Sequence, residues 1–311
     1  MPQIPGTDIV TSSLGLGGNV FGWSADEAAS FDVLDAFADA GGTMIDTADV
    51  YAAWLGTEGG ESETIIGKWM AARGNRGKMI IATKVGSAPG YDNLQPGTIR
   101  GALERSLTRL QTDYVDVYYA HYDRPDPLVD TMATFDALVR EGKVRSIAAS
   151  NYSAARLAEA LDISADHGWN PYSALQPEYS LLERTVYDTE LAPLCVARGL
   201  GTFPYYGLAR GYLTGKYRLG GPAVDSVRAQ GTAQYVNDNG ERVLAVLEQV
   251  ADGHAVPMAS VALAWLSTRP AVIAPLASAR TVDQLSDLLP AMGLTLTSEE
   301  IHALNLVSST T

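Results

Sequence analysis

Short apolar runs alternate with longer amphipathic stretches along the whole of this 311-residue chain, and that rhythm restricts the fold more than any other feature. Strand-like runs fall near 13–16, 43–46, 79–83, 115–119, 145–148, 173–176, 201–204 and 272–275. Helical periodicity occupies the intervals near 25–40, 61–73, 97–110, 129–141, 153–167, 187–198, 238–252 and 281–290. A strand lying parallel to the one before it needs a crossover, and a helix is the usual crossover. Eight such units in one chain predict a closed (β/α)₈ TIM barrel of the α/β class, which takes about 250 residues, more than an open doubly wound sheet. The segment 257–268 reads as a helix inserted before the last strand. The stretch 208–236 reads as one long loop, a length usual for lids and binding segments. No linker or low-complexity tract divides the chain, so one domain over 1–311 is expected.

Capping boxes are expected at three helix starts: Ser24 with Glu27, Thr281 with Gln284, and Thr297 with Glu300. No strand runs into G-x-G-x-x-G and then a helix; LGLGGN is only a glycine-rich turn. No run approaches the ~20 apolar residues of a membrane span. The opening MPQIPGTDIV lacks the basic and apolar regions of a secretory signal, and the lone Cys195 suits a reducing compartment, so a cytoplasmic location is expected. A net charge of −14 opposes nucleic acid and anionic membranes as partners. Four histidines without a spaced His/Cys cluster predict no metal site.

In a (β/α)₈ barrel the chemistry collects where strands end and loops begin. Those ends carry Asp46, Lys84, His121, Ser150, Asn151, Gln176, Tyr205, Ser278 and Arg280, with Tyr51 five residues beyond Asp46. A phenol is a reluctant acid near neutrality, with an ordinary pKa of about 10. A lysine ammonium beside it favours the phenolate and eases release of the proton, and a carboxylate holds the ammonium. Asp46, Tyr51, Lys84 and His121 therefore predict a proton-donating site. An Asp46–Lys84 pair alone reads equally well as a structural ion pair at a barrel mouth.

Several motifs in this order resemble the aldo-keto reductase family: IDTADVY, ESETIIGKWM, ATKVG, GKVRSIAASNYS, LQPEYSLLER, YYGLARGYLTGKY and ARTVDQL. The resemblance spans nearly the whole chain. It implies a catalytic tetrad of Asp46, Tyr51, Lys84 and His121, with hydride from NAD(P)H reaching a carbonyl carbon while Tyr51 protonates the oxygen. It implies that Lys84 lowers the pKa of Tyr51, that Asp46 pairs with Lys84, and that His121 orients or polarises the carbonyl. Ser150, Asn151 and Gln176 resemble the groups that bind the nicotinamide carboxamide, and Ser150 and Asn151 read alternatively as the start of the helix at 153. Tyr205 resembles the aromatic residue stacked on the nicotinamide ring, a role its neighbour Tyr206 could exchange with it.

Ser278 and Arg280 precede a helix N-terminus, where free N–H groups and a guanidinium suit a phosphate. The resemblance places the 2′-phosphate of NADPH there, which favours NADPH (NADP⁺) over NADH. Gln284 resembles an adenine contact and also completes the Thr281 box; Lys216 in LTGKY is a candidate cofactor phosphate contact from the long loop and reads equally as a solvated lysine. Leu288 and Leu276 stand where the family often has asparagine and glycine. Phe21, Trp23, Trp54 and Tyr122 are candidates to wall the substrate site, or to pack on neighbouring loops instead. The implied activity is NADPH-dependent reduction of an aldehyde or ketone, a small-molecule carbonyl substrate being the only partner expected. Two other readings fit the barrel: a redox-sensing or regulatory protein that binds cofactor with little turnover, and an aldolase using Lys84 as a Schiff-base nucleophile.

Overall fold

The apolar runs pair side by side in chain order, as parallel strands joined by helical crossovers must. In the computed structural model, which describes residues 1–222, 224 and 229–309, the strands are β1 (Gly15–Gly17), β2 (Met44–Asp46), β3 (Ile80–Val85), β4 (Val115–Ala120), β5 (Val144–Ser150), β6 (Ala174–Gln176), β7 (Gly201–Thr202) and β8 (Leu276–Ala277). All pair in parallel in the order β7-β6-β5-β4-β3-β2-β1-β8. The remaining seam closes through Thr202, whose N–H donates to Ala271 O and whose carbonyl accepts from Ile273 N; Leu276 N then donates to Pro204 O. The fold is a (β/α)₈ barrel. The seam strands are shorter than the sequence suggests, and the last lies four residues later. Pro275 has no N–H to give a ladder at that point.

Helices α1 (Glu27–Asp39), α2 (Glu61–Arg73), α3 (Pro96–Leu110), α4 (Leu128–Arg140), α5 (Ala154–His167) and α6 (Ala192–Arg198) follow the first six strands. After β7 come the short α7 (Ala229–Thr232), then α8 (Asp238–His254) and α9 (Met258–Ser267); α10 (Val282–Ser286) and α11 (Ser298–Val307) follow β8. Their apolar faces form one buried layer against the outside of the strands, with Trp69, Phe37, Phe135 and Trp265 fully enclosed. Among the described residues no helix is long and apolar enough to cross a membrane.

Local chemistry moves several expected boundaries. Asp26, not Ser24, caps α1, its carboxylate accepting from Ala29 N, because the helix begins at Glu27. Thr297 and Glu300 form the full reciprocal box on α11. Thr281 accepts from Gln284 N, but the Gln284 side chain accepts from Arg280 N instead of closing the box. The interval 187–198 opens with a wide turn over 187–191 before α6, and 281–290 divides between α10 and a tight turn over 289–292. Within 208–236, residues 209–214, 229–232 and 233–235 form short helical turns, and 223 and 225–228 lie outside the described residues.

The barrel interior is a separate apolar cluster that includes Met44, Ala82, Val117, Tyr119, Ala148, Ala174, Phe203, Ala274 and Leu276. Its lower end is stoppered by residues the strand pattern does not reveal. Gln3 and Val10 pair antiparallel, Ile4 N donates to Ile9 O, and the fully buried Ile4 and Ile9 join the interior cluster.

Candidate active site

Side chains alternate across a strand with a period of two, so the residue two beyond an interior core residue faces the interior one layer higher. Seven such steps lead from the apolar cluster to polar groups: Met44 to Asp46, Ala82 to Lys84, Tyr119 to His121, Ala148 to Ser150, Ala174 to Gln176, Phe203 to Tyr205, and Leu276 to Ser278. Parallel pairing sets Ser150 opposite Gln176, whereas Asp46 lies opposite Ala82 and Lys84 opposite Tyr119, so the polar step climbs around the mouth with the stagger of the strands. One layer of the barrel thus changes from hydrocarbon to hydrogen-bonding groups at its upper mouth.

Lys84 is fully buried, and its ammonium has three acceptors: Asp46 Oδ2 at 2.6 Å, Thr47 O at 2.8 Å and the Tyr51 phenol at 3.0 Å. The other Asp46 oxygen accepts from Gln176 Nε2 at 2.8 Å. Burial draws the Lys84 pKa down, while Asp46 opposes the shift. Burial and the Asp46 charge hold the Tyr51 phenol well above its ordinary range. In the free protein, then, the expected lowering of Tyr51 by Lys84 is outweighed; an ammonium shared with a carboxylate at 2.6 Å gives the phenol little net positive field. His121 stands edge-on to Tyr51, ring centroids 6.2 Å apart. Burial, then the positive charges of Lys84 and Arg124, keep its imidazole well below the ordinary pKa, hence neutral at pH 7.

A second carboxyl lies close by. Asp49 is buried, and neither of its oxygens has a hydrogen-bond partner among the described residues. Burial and the neighbouring Glu63, itself paired with Arg109 at 2.6 Å, push its pKa well up.

Ser150, Asn151, Gln176 and Tyr205 are joined to one another. Ser150 Oγ donates to Gln176 O at 2.9 Å, and Asn151 Nδ2 to His121 O at 2.9 Å and Ser150 Oγ at 3.1 Å. The Tyr205 hydroxyl donates to Asn151 Oδ1 at 2.7 Å. Asn151 has a left-handed backbone (φ 58°), which asparagine tolerates better than most residues. All four line a cavity of about 790 Å³ with Asp46, Tyr51 and His121; Lys84 lies beneath its floor.

The cavity extends past Gly17 to Lys216, Ser278, Arg280 and Gln284. Ser278 Oγ donates to Asn19 Oδ1 at 2.6 Å, and a Cβ on Gly17 would sit 2.5 Å from that hydroxyl. Among the described residues neither Lys216 nor Arg280 has an ion-pair partner; Lys216 lies over the Tyr217 ring at 5.1 Å. Two unneutralised cations facing one cavity in a protein of net charge −14 suit an anionic ligand. A dinucleotide with its nicotinamide at Asn151 and Tyr205 and its phosphates toward Arg280 fits this donor set. Leu276 and Leu288 give that end an apolar wall.

Two of the four aromatic residues expected at the mouth line the cavity: Trp54 and Tyr122, both about half exposed. Phe21 is instead fully enclosed in the outer core, where it closes the loop after β1. Trp23 does not reach the cavity; it packs edge-on against Trp54 at 5.3 Å and props it. Sequence reasoning passed over Asn19, Ser87, Glu178 and Arg210, all of which line the cavity. Arg210 lies inside the YYGLARGYLTGKY run, and a charged residue flanked by Gly207 and Gly211 is the available signal.

The aldo/keto reductase family profile matches residues 13–308. The chain belongs to the aldo/keto reductase family. It is 36% identical over 312 residues to the uncharacterized oxidoreductase YrpG of Bacillus subtilis, covering 96% of this chain and 93% of that one. It is 33% identical over 339 residues to protein Tas of Escherichia coli, covering 98% and 97%. Aryl-alcohol dehydrogenase GME11368 of Pestalotiopsis microspora is 30% identical over 322 residues, covering 96% and 79%. Members of this aldo/keto reductase family use NAD(P)H and act on small-molecule carbonyl compounds, and this chain is an oxidoreductase of that general kind.

Proposed function

We propose that the protein reduces an aldehyde or ketone to the alcohol with NADPH, Tyr51 supplying the proton. The observation that carries this reading is the Tyr51 phenol on the cavity wall, held at 3.0 Å by an ammonium that Asp46 fixes from behind. Reduced nicotinamide bound along Ser150, Asn151, Gln176 and Tyr205 supplies the hydride.

The raised pKa keeps the phenol protonated at neutral pH, as a donor must be. The alkoxide forming on the substrate is a base comparable to hydroxide, stronger than an ordinary phenolate, and so a fitting acceptor for the tyrosine proton. As the phenolate develops, the Lys84 ammonium gains a negative partner that is absent from the ground state, which is where stabilisation accelerates a reaction. Neutral His121 can donate one N–H to the carbonyl oxygen without adding a competing acid. Lys216 and Arg280 hold the cofactor phosphates, and Arg280 favours the 2′-phosphate of NADPH. Trp54 and Tyr122 offer flat apolar surface, in keeping with an aromatic carbonyl compound of the kind that one relative's name, aryl-alcohol dehydrogenase, denotes.

The aldolase reading fits less well, because a Schiff base needs an accessible amine and Lys84 is fully buried with three acceptors engaged. Tyr51→Phe should lower turnover by about 10²–10⁴-fold and leave NADPH binding, read by nucleotide fluorescence, nearly intact. Loss of binding with retained turnover would overturn the assignment. Slow NADPH oxidation by the wild type across a broad aldehyde and ketone panel would favour the regulatory reading.

A further inference from the structure

Arg210 is held in the cavity wall against ordinary backbone preference. Ala209, Arg210 and Gly211 take left-handed φ values of 47°, 58° and 105° in succession, a region unfavourable to residues that carry a Cβ. Such an outlier at a cavity points toward function. The guanidinium lies over the Tyr206 ring at 4.3 Å, and its buried Nε meets no acceptor among the described residues. Glu178 is the ion-pair partner, but at 3.7 Å it is beyond hydrogen-bond length; the Tyr235 phenol adjoins the same head group. A guanidinium built only as a latch would have its fork filled, as Arg109 has at Glu63 and Arg73 at Asp35.

Among the described residues the fork is only partly filled, by Glu178 and Tyr235, and its position gives that a meaning. Arg210 lines the same cavity as Tyr51, the proposed proton donor, with Tyr206 beneath its guanidinium. Arg124 lies over the Tyr122 ring at 5.6 Å, but its Nε donates to Gly86 O and it does not line the cavity, whereas Arg210 does.

We infer that Arg210 determines specificity by gripping a carboxylate on the substrate, at the end remote from the carbonyl. The inference rests on Tyr51 as proton donor, because that fixes where the carbonyl lies. A planar carboxylate matches the guanidinium fork in two parallel hydrogen bonds. Glu178 competes for the same fork, so it weakens the grip and limits it to ligands that bring their own charge.

The test compares 4-carboxybenzaldehyde with its methyl ester, methyl 4-formylbenzoate, which presents the same carbonyl without the charge. The wild type should have the higher kcat/KM on the acid. Arg210→Gln should lower the acid-to-ester ratio of kcat/KM by about 10- to 100-fold, the size expected for a hydrogen bond to a charged group. Glu178→Gln should move the ratio the other way, by freeing the fork. An equal fall for acid and ester in Arg210→Gln, with weaker fluorescence-detected binding of both NADPH and NADH, would overturn the inference and place the guanidinium on the cofactor phosphates. A fall in the ratio for Glu178→Gln would overturn it in favour of a latch. Reduction of the ester with no preference for the acid in the wild type would overturn this inference alone. Failure to reduce either aldehyde, with NADPH demonstrably bound, would overturn the reductase reading beneath it as well.

Discussion

Replacing Lys84 with methionine removes the ammonium that faces the buried Asp46 carboxylate at 2.6 Å. The side chain is replaced by one of similar length, so packing changes little, and the effect falls on charge. Asp46 keeps Gln176 at 2.8 Å, but Oδ2 is left with only the Tyr51 hydroxyl at 3.5 Å. Leaving one partner of a buried pair uncompensated costs about 3–5 kcal/mol. Asp46→Asn leaves the ammonium on Thr47 O and Tyr51 and should cost about the same. The double variant buries no charge; its main debt is the unpaired Thr47 carbonyl and Tyr51 hydroxyl, about 1–3 kcal/mol each. Urea unfolding of the four proteins at pH 7, without cofactor, should therefore give a double variant more stable than the sum of the single losses by about 4 kcal/mol. Losses that add to within about 0.5 kcal/mol would refute the coupled, desolvated pair on which the Tyr51 geometry depends.

The raised pKa of Asp49 means that the folded protein keeps a proton which the unfolded chain releases above about pH 3.8, so this group's contribution to stability falls as pH rises through that window. Asp49→Asn should gain on the wild type as pH rises above about 3.8, by up to about 1.4 kcal/mol per pH unit until the folded carboxyl ionises; a pH-independent difference in urea midpoint would refute it. His121 is shifted the other way: its contribution is present above pH 6.5 and lost as pH falls toward its depressed folded pKa. Its ring resonances should stay those of neutral imidazole through pH 6.5, and His121→Gln should flatten the loss of stability below that pH. Arg280→Ala should raise the KM for NADPH much more than that for NADH, and an equal rise for both would refute a 2′-phosphate role.

The eightfold alternation was legible because strand and helix periods differ, and the strand-end polar groups because a period of two carries each apolar stripe into one polar residue. Lys84 and Asp46 could be paired on that logic alone. What escaped depended on contacts between segments remote in sequence. Phe21 and Trp23 both looked like mouth residues, yet the loop after β1 folds so that one enters the outer core and the other backs Trp54. The protonation of Tyr51 escaped for a different reason: it depends on how much water burial removes, which a list of neighbouring charges does not contain. Arg210 escaped because its direction follows from three consecutive left-handed residues, two of them types that rarely adopt that backbone.

The stopper at the lower end of the barrel bears on how the protein comes to be folded. Ile4 and Ile9 share one cluster with Ile273, Ala274 and Leu276, so the first and the last pieces of the interior wall touch the same side chains. A ribosome delivers Ile4 and Ile9 long before Ile273, Ala274 and Leu276. Until β8 emerges, the hairpin has half a socket, and the nascent strands present Met44, Val117 and Phe203 to whatever is nearby. Sealing the tube is therefore a late, long-range step, the kind that slows folding and exposes sheet edges meanwhile. A bulky tag fused at the amino terminus would sit beside that step, whereas one at the carboxyl terminus would follow α11 on the outside of the wall.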